Sequence, residues 1–312
     1  MTKTVIMIWL KTHSGTNPNG SIKAYGLGDL LRGTIYLHQM SIQLGFNLVV
    51  DISMHAISNY LIVNEHEHAA YVKANVNKLH FVDPHETTKF NVIFKASLGA
   101  KDPLLICTNM FCSEPLSAEC KQFMKTLLTP NEAFTNYMSQ QNAAYELSAP
   151  YSIMHIRLGD DEFFENISIN NSNANDAVAI LKQHAGPRDI LLSNSHRFKE
   201  RVKSLPGTTI AMFNTRPLHS GELSTMFHDN VTDSFKETLY EFFVLGHAST
   251  IKTYSVYDWV SGFVKFAGLI HDVPVIDLKP TQFSQKKPLP QSQFLMRSGH
   301  AFQNNVRFGL KF

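Results

Sequence analysis

The sequence predicts an α/β protein with parallel sheets, arranged as two successive halves, and three observations carry the prediction. Short runs of apolar and β-branched residues alternate with segments of helical periodicity along most of the chain. Several of the runs, such as Asn47-Leu-Val-Val-Asp-Ile52, are apolar almost without interruption, as strands covered on both faces are. Pro150 ends one long helical segment just before a new apolar run, dividing the alternation into two parts, and 312 residues suit two domains.

Taken in order, Val5 to Trp9 reads as the first strand, and the Gly-, Ser- and Asn-rich stretch from Thr12 to Tyr25 as a loop. A helix then opens around Gly26-Leu-Gly-Asp-Leu-Leu-Arg-Gly33, places Leu30, Leu31, Tyr36, Leu37 and Met40 near helical spacing, and stops at Gly45. The run from Asn47 to Ile52 completes one βαβ unit. Strands are predicted at Leu79 to Val82, Asn91 to Phe94 and Leu104 to Cys107, and helical segments at His55 to Ile62, His66 to Ala74 and Asn131 to Leu147. Beyond Pro150 the alternation resumes. Strands fall at Ser152 to Ile156, Asp189 to Leu192, Thr209 to Phe213, Thr250 to Tyr254 and Val273 to Leu278. Between them lie helices at Asp176 to His184, Arg197 to Ser204, Asp233 to Gly246 and Tyr257 to Gly268. The predicted division is 1–150, 151–278 and a Pro-, Gln- and Ser-rich extension over 279–312, whose phenylalanines argue that it packs back on a lobe.

The composition narrows the function. Lys and Arg number 28 against 26 Asp and Glu, a net charge of +2 with no basic run, so neither nucleic acid nor an anionic membrane is an expected partner. Cys107, Cys112 and Cys120 are an odd number in a chain large enough to dispense with staples, which argues against a disulfide framework. The apolar run Val5 to Leu10 is too short for a signal-peptide core, and no run reaches 18 apolar residues. A cytoplasmic protein without a membrane span is the expectation. His66 and His68, with His55, His80 and His85 around them, lack the i, i+4 spacing of a helical zinc motif, and no metal site is expected.

Chemistry concentrates in Met154-His-Ile-Arg-Leu-Gly-Asp-Asp161, which leaves a buried strand and enters a loop. Strand side chains alternate, so His155 and Arg157 share a face, and placing both at a strand end is costly without a partner. Arg157 is suited to clamp a phosphate, with Gly159 allowing close backbone approach; a structural pair between Arg157 and Asp160 or Asp161 is the other reading. The segment Gly26 to Gly33 resembles a phosphate-binding turn, but Leu31 stands where a dinucleotide fingerprint requires its third glycine, and Asp29 would oppose a phosphate.

His155-Ile-Arg157-Leu-Gly159-Asp160 resembles the His-x-Arg-x-Gly-Asp signature of the fucosyltransferase superfamily that joins the α-1,2, α-1,6 and protein O-fucosyltransferases. The likeness extends in order, more than in identity, over roughly residues 5 to 278: Gly26-Leu-Gly28-Asp29 stands at the first turn, Ile190 to Asn194 at a strand that usually ends in Asp, Glu237 to Ile251 at an acidic helix and strand, and Ser255 at a serine-rich turn. The resemblance implies a GT-B-like fold, two Rossmann-like lobes whose parallel sheets face a central cleft. It implies an inverting transferase that needs no metal or other cofactor, takes GDP-fucose as donor substrate, and acts on a glycan or glycoprotein acceptor.

In this reading Arg157 holds the donor β-phosphate, and His155, Gly159, Asp160, Asn194, Glu241 and Ser255 form the donor side. Ser255 would act with the N-terminus of a helix starting at Tyr257. Asp29 would take the proton of the attacking hydroxyl, or is simply a first-turn carboxylate favourable with the helix dipole. Gly26, Gly28 and Arg32 would form a loop facing acceptor or phosphates, with Arg32 alternatively paired to Asp29. Glu241 would contact the nucleoside, or is a solvated charge on a helix face. Asn194 in place of Asp, and Tyr254 in place of the first serine of the turn, depart from the family pattern. A carbohydrate- or nucleotide-binding protein without catalysis, a transferase using another nucleotide sugar, and a different two-lobed α/β enzyme remain as alternatives.

Overall fold

The structure is a computed structural model of the chain, and it describes residues 2–10, 13–16, 22–23, 26–63, 65–84, 86–159, 171–207, 209–213, 215 and 231–279. Two parallel sheets organise it. The first contains β1 (Thr4–Ile8), β4 (Asn47–Asp51), β5 (His80–Val82) and β6 (Leu104–Thr108) in the order β4-β1-β6-β5. Between β1 and β4, a two-stranded antiparallel pair, β2 (His13–Thr16) and β3 (Ile22–Lys23), precedes α1 (Leu27–Leu44). Helices α2 (Ala69–Asn75) and α3 (Thr87–Ser97) flank β5, and α4 (Ala118–Leu127) and α5 (Glu132–Ala144) follow β6.

The second sheet contains β7 (Ser152–Arg157), β8 (Asp189–Ser193), β9 (Ala211–Met212), β10 (Thr250–Ser255) and β11 (Val275–Asp277) in the order β11-β10-β7-β8-β9. Its helices are α6 (Asn171–His184), α7 (His196–Lys203), α8 (Val231–His247) and α9 (Gly262–His271). Both sheets are wholly parallel and helix-flanked, a two-lobed α/β fold of GT-B type.

Sequence explains the elements that position the site. The central strands β6 and β8 are buried at every position, which is why Leu104 to Cys107 and Ile190 to Leu192 read as apolar runs, with Thr108, Asp189 and Ser193 buried polar residues at the ends. Helix α1 turns Leu30, Leu31, Ile35 and Leu37 inward and stops at Gly45, whose φ of 68° is the left-handed conformation a helix C-cap favours in glycine. One apolar core runs without a break from Val5, Met7 and Leu31 of the first half to Phe242, Leu245, Val264 and Ile270 of the second. Polar contacts reinforce the join: Lys265 pairs with Glu114 at 2.5 Å, Lys121 pairs with Asp272, and the Tyr240 hydroxyl donates to Asn142 Oδ1 at 3.1 Å.

Three expectations are corrected and one unpredicted helix is added. The strand predicted at Asn91 to Phe94 lies inside α3. Its apolar content misleads because Val92 is 65% exposed, whereas Phe90 and Phe94, one helical turn apart, stack on each other at 5.8 Å and bury against Phe46. Helix α4 carries a narrow stripe of Cys120 and Met124 that the sequence reading passed over, and Ser117 caps it by accepting from the Cys120 amide. The segment around His55 is a short 3-10 turn over Ala56–Asn59. The helix expected from Tyr257 begins at Gly262, leaving Val256 to Val260 as a loop.

The extension from 280 onward lies outside the described residues, as do Asp160 and Asp161. Among the described residues no helix is long and apolar enough to cross a membrane, and the three cysteines are unpaired. Burial pushes the thiols of Cys107 and Cys112 up to about 12.

Candidate functional site

Strands β7, β8 and β10 end side by side, the position at which open parallel sheets present ligand-binding groups. The register pairs His155 with Thr253 and Arg157 with Ser255, so all four side chains belong to one face of the sheet. The pairing is tight at the first level: His155 Nδ1 and Thr253 Oγ1 are 3.0 Å apart, and both residues are buried. Burial, with the Arg157 guanidinium nearby adding to it, drives the His155 pKa down to about 3, so the imidazole is neutral. Arg157, one pleat further out, is only half-buried. The strand therefore carries a neutral, anchored histidine below and a cation at its mouth.

The turn after β7 is held from β8. Asn194, 6% exposed, accepts from the Leu158 amide at 2.9 Å through Oδ1 and donates from Nδ2 to the Gly159 carbonyl at 2.6 Å. Gly159 has a φ of 116°, where a side chain would be strained. An asparagine suits this position because it offers an acceptor and a donor on one planar head; an ionised aspartate could only accept. The asparagine, where the sequence resemblance implies an Asp, thus has a local reason in this chain.

On the other side, the Val256 amide donates to the Arg157 carbonyl at 3.0 Å, and buried Ser255 accepts the Tyr257 amide on Oγ at 3.2 Å. With the helix beginning only at Gly262, Ser255 stands beside a pinned loop instead of a helix N-terminus.

Glu241 is 5% exposed, which removes the solvated-face reading. Its carboxylate accepts from the Thr215 hydroxyl and lies 3.8 Å from Lys199 Nζ; Lys199 in turn donates to the Thr215 carbonyl at 2.7 Å and the Phe213 carbonyl at 3.3 Å. Burial raises the Glu241 pKa and lowers that of Lys199, each opposed by the partner's charge. This cluster ties α7, α8 and the segment after β9 together.

The residues expected at the first turn lie elsewhere than in a loop. Gly26 is the N-cap of α1, and Gly28, Asp29 and Arg32 are within the helix. Gly28 is the contact point between the halves: a Cβ there would meet the Gly262 carbonyl carbon at 2.7 Å and the Phe263 nitrogen at 2.8 Å. Asp29 Oδ1 accepts from Arg32 at 3.0 Å, and Arg32 also donates from Nε to the Asn109 carbonyl at 2.7 Å and lies 4.5 Å from the centre of the Phe111 ring. Arg32 is thus committed to the first half of the chain, its pairing with Asp29 being the alternative the sequence left open.

Structure therefore gathers His155, Arg157, Gly159, Asn194 and Ser255 at one sheet mouth, holds Asp29 and Arg32 on α1, and buries Glu241 in a separate cluster. His66 sits 3.2 Å from Asp51 and His68 3.3 Å from Glu67. Among the described residues no group of three or more His, Cys, Asp or Glu side chains could hold a metal ion. Sequence reasoning missed Tyr257 and Trp259, two aromatics in a predicted helix, and Asn109; the alternation of Tyr, Asp and Trp after a buried strand was the available signal for the first two.

No family model matches the chain, and no curated protein matches it in sequence. Its fold does recur among solved structures. The α-1,6-fucosyltransferase NodZ co-crystallised with GDP is 12% identical, with 88% of this chain and 95% of that one covered at a TM-score of 0.51. A selenomethionine crystal of the NodZ fucosyltransferase from Bradyrhizobium, 12% identical over 88% of this chain and 95% of that one, gives 0.53. A variant of Arabidopsis thaliana FUT1 in complex with GDP is 13% identical, covering 89% of this chain and 70% of that one, at 0.51. The chain has the GT-B-like two-lobed fold of these fucosyltransferase structures.

Proposed function

We propose that the protein is a glycosyltransferase that takes a sugar from a nucleoside diphosphate donor, GDP-fucose by the resemblance of its His155 to Asp160 segment, and passes it to a hydroxyl of a glycan or glycoprotein. The observation that carries this reading is the mouth of the second sheet, where Arg157 faces Ser255 across β7 and β10 beside a turn that Asn194 fixes. As the bond between the anomeric carbon and the phosphate oxygen breaks, negative charge grows on the β-phosphate. A guanidinium already in place stabilises that charge more than the ground state, which is what accelerates the step. Displacement from the opposite face inverts the anomeric carbon. In this scheme no metal is used, and Asp29 or a water it orders takes the proton of the attacking hydroxyl.

His155 acts from below. Neutral and anchored on Thr253, it adds no second charge beside Arg157 and leaves the guanidinium as the local cation of that face. A binding protein without transfer is the second reading, favoured by one observation: the Asp29 carboxylate is already engaged by Arg32. The test begins with thermal shifts for GDP, GDP-fucose, UDP and UDP-sugars without added metal, since a bound nucleotide raises the melting temperature. Arg157→Ala is expected to keep the fold and lose on the order of 10²- to 10³-fold in turnover. Near-normal transfer by that variant, or no nucleotide shift at all, refutes the proposal; GDP binding without transfer to any acceptor moves it to the second reading.

A further inference from the structure

We infer that Trp259, stacked on Tyr257, is a platform for a neutral sugar ring, placed where an acceptor saccharide would lie; the assignment to the acceptor rests on the function proposed above. The chain has two tryptophans, and they are treated oppositely. Trp9 is wholly buried, its indole donating to Thr34 Oγ1 at 3.0 Å, whereas Trp259 is 64% exposed. Exposed as it is, Trp259 is stacked: its ring lies over that of Tyr257 with centroids 5.0 Å apart and planes within 9°. One face of the indole is covered by the tyrosine, and the exposure belongs to the remainder of the ring.

The loop that carries the pair is pinned along its length. Val256 donates to the Arg157 carbonyl, Tyr257 donates to Ser255 Oγ, and Lys279 donates to the Tyr257 carbonyl and lies 3.4 Å from Asp258 Oδ1. Three residues after Trp259, Gly262 abuts Gly28 of α1, next to Asp29. The loop that carries the platform is thus bonded at Val256 to the Arg157 carbonyl and runs on to Gly262, which meets Gly28 beside Asp29 on α1.

The chemistry favours a sugar. An aromatic face accepts the C–H face of a pyranose, and a pre-ordered ring loses little entropy on binding it. Asp258, 93% exposed and 3.4 Å from Lys279 Nζ, offers acceptors for hydroxyls at the platform's edge.

Trp259 reports on itself, because the emission of a solvent-exposed indole separates from that of buried Trp9. Tryptophan emission is followed while lactose, N-acetyllactosamine, cellotriose or maltotriose is added to the full chain, with and without GDP. At least one saccharide is expected to quench the exposed component without GDP. In calorimetry, Trp259→Ala should weaken that saccharide about three- to ten-fold, Trp259→Phe less, and GDP binding should not change. The platform is overturned if no saccharide perturbs the exposed emission, if Trp259→Ala binds saccharide normally, or if GDP alone quenches as strongly, which would make it a nucleobase site. A saccharide response without any GDP thermal shift keeps the platform and removes the transferase reading; a GDP shift without a saccharide response does the reverse.

Discussion

Replacing Asn194 by Asp changes one NH2 group to an oxygen and reverses the sign of one contact. The amide orientation in the protein is forced by its partners, since the Leu158 N–H must meet an acceptor and the Gly159 carbonyl must meet a donor. Aspartate keeps the first bond and, when ionised, sets a second oxygen against the Gly159 carbonyl, which sits 2.6 Å from Nδ2 in the native protein. Leaving that carbonyl unsatisfied costs about 1–3 kcal/mol, and desolvating the carboxylate adds to it. The protonated acid can donate and restores the bond, so folding raises the new side chain's pKa above its ordinary value of about 3.9. At about 1.36 kcal/mol per unit, a deficit of roughly 2–3 kcal/mol places the folded value near 6.

The sign follows from linkage. Below about pH 4 the carboxyl is neutral in both states and the variant matches the native protein; its stability is lost as pH rises through about 6, and the deficit is complete near neutrality. Urea unfolding of both proteins at about pH 4 and pH 7.5 measures the difference at each pH. GDP binding should weaken together with stability at the higher pH, because the same turn leads from Arg157. An equal deficit at both pH values would refute the reasoning, since only a lost donor is recovered by protonation.

Two further perturbations test the buried polar groups. The pKa of His155 is depressed from the ordinary 6.5 to about 3, so its contribution to stability is complete above about pH 6.5 and is lost as pH falls toward 3; His155→Gln should flatten the acid limb of the urea midpoint between about pH 6.5 and 4, and an unchanged slope would place that titration elsewhere. Lys199→Met leaves Glu241 buried without its cation and should cost about 3–5 kcal/mol, most of it regained in Lys199→Met with Glu241→Leu. A loss under about 1 kcal/mol in the single variant would show that Glu241 simply becomes protonated at little cost.

The two halves are joined at a close helix contact. Gly28 and Gly262 allow α1 and α9 to meet backbone to backbone, and the apolar core passes through that contact. A side chain at Gly28 would run into the Gly262–Phe263 backbone and force the helices apart, whereas a Cβ at Gly262 would make only ordinary contact, 3.6 Å from the Gly28 Cα. The Gly26-Leu-Gly28 segment, which reads as a turn for approaching a ligand, is in this respect a device for approaching another helix.

Much of the fold was legible because periodicity is local. Strands buried on both faces, as in β6 and β8, are apolar along most of their length, and α1 must repeat its apolar positions at helical spacing, so both elements can be read without knowing their neighbours. Asn91 to Phe94 escaped because apolar content in a short run does not distinguish a strand from a helix whose buried residues, Phe90 and Phe94, lie four apart. The residue pair His155 and Arg157 could be placed on one face from strand geometry alone. Which groups surround them could not, because Thr253 and Ser255 come from a strand 98 residues on and Asn194, which holds the turn after β7, follows β8, and only the order of the sheet makes them neighbours. Charge was least legible of all. Asp29, Glu241 and Arg32 are ordinary helix residues in one dimension, and whether each faces water, a partner or a ligand is decided by packing: Glu241 against Lys199 and Thr215, Arg32 against Asn109 and Phe111, and Trp259 held on Tyr257 with its indole left to solvent. Periodicity along the chain was enough to read the alternation of strand and helix and the presence of a cation at a strand end; which side chains stand together follows only from the folded chain, since that depends on contacts between segments far apart in sequence.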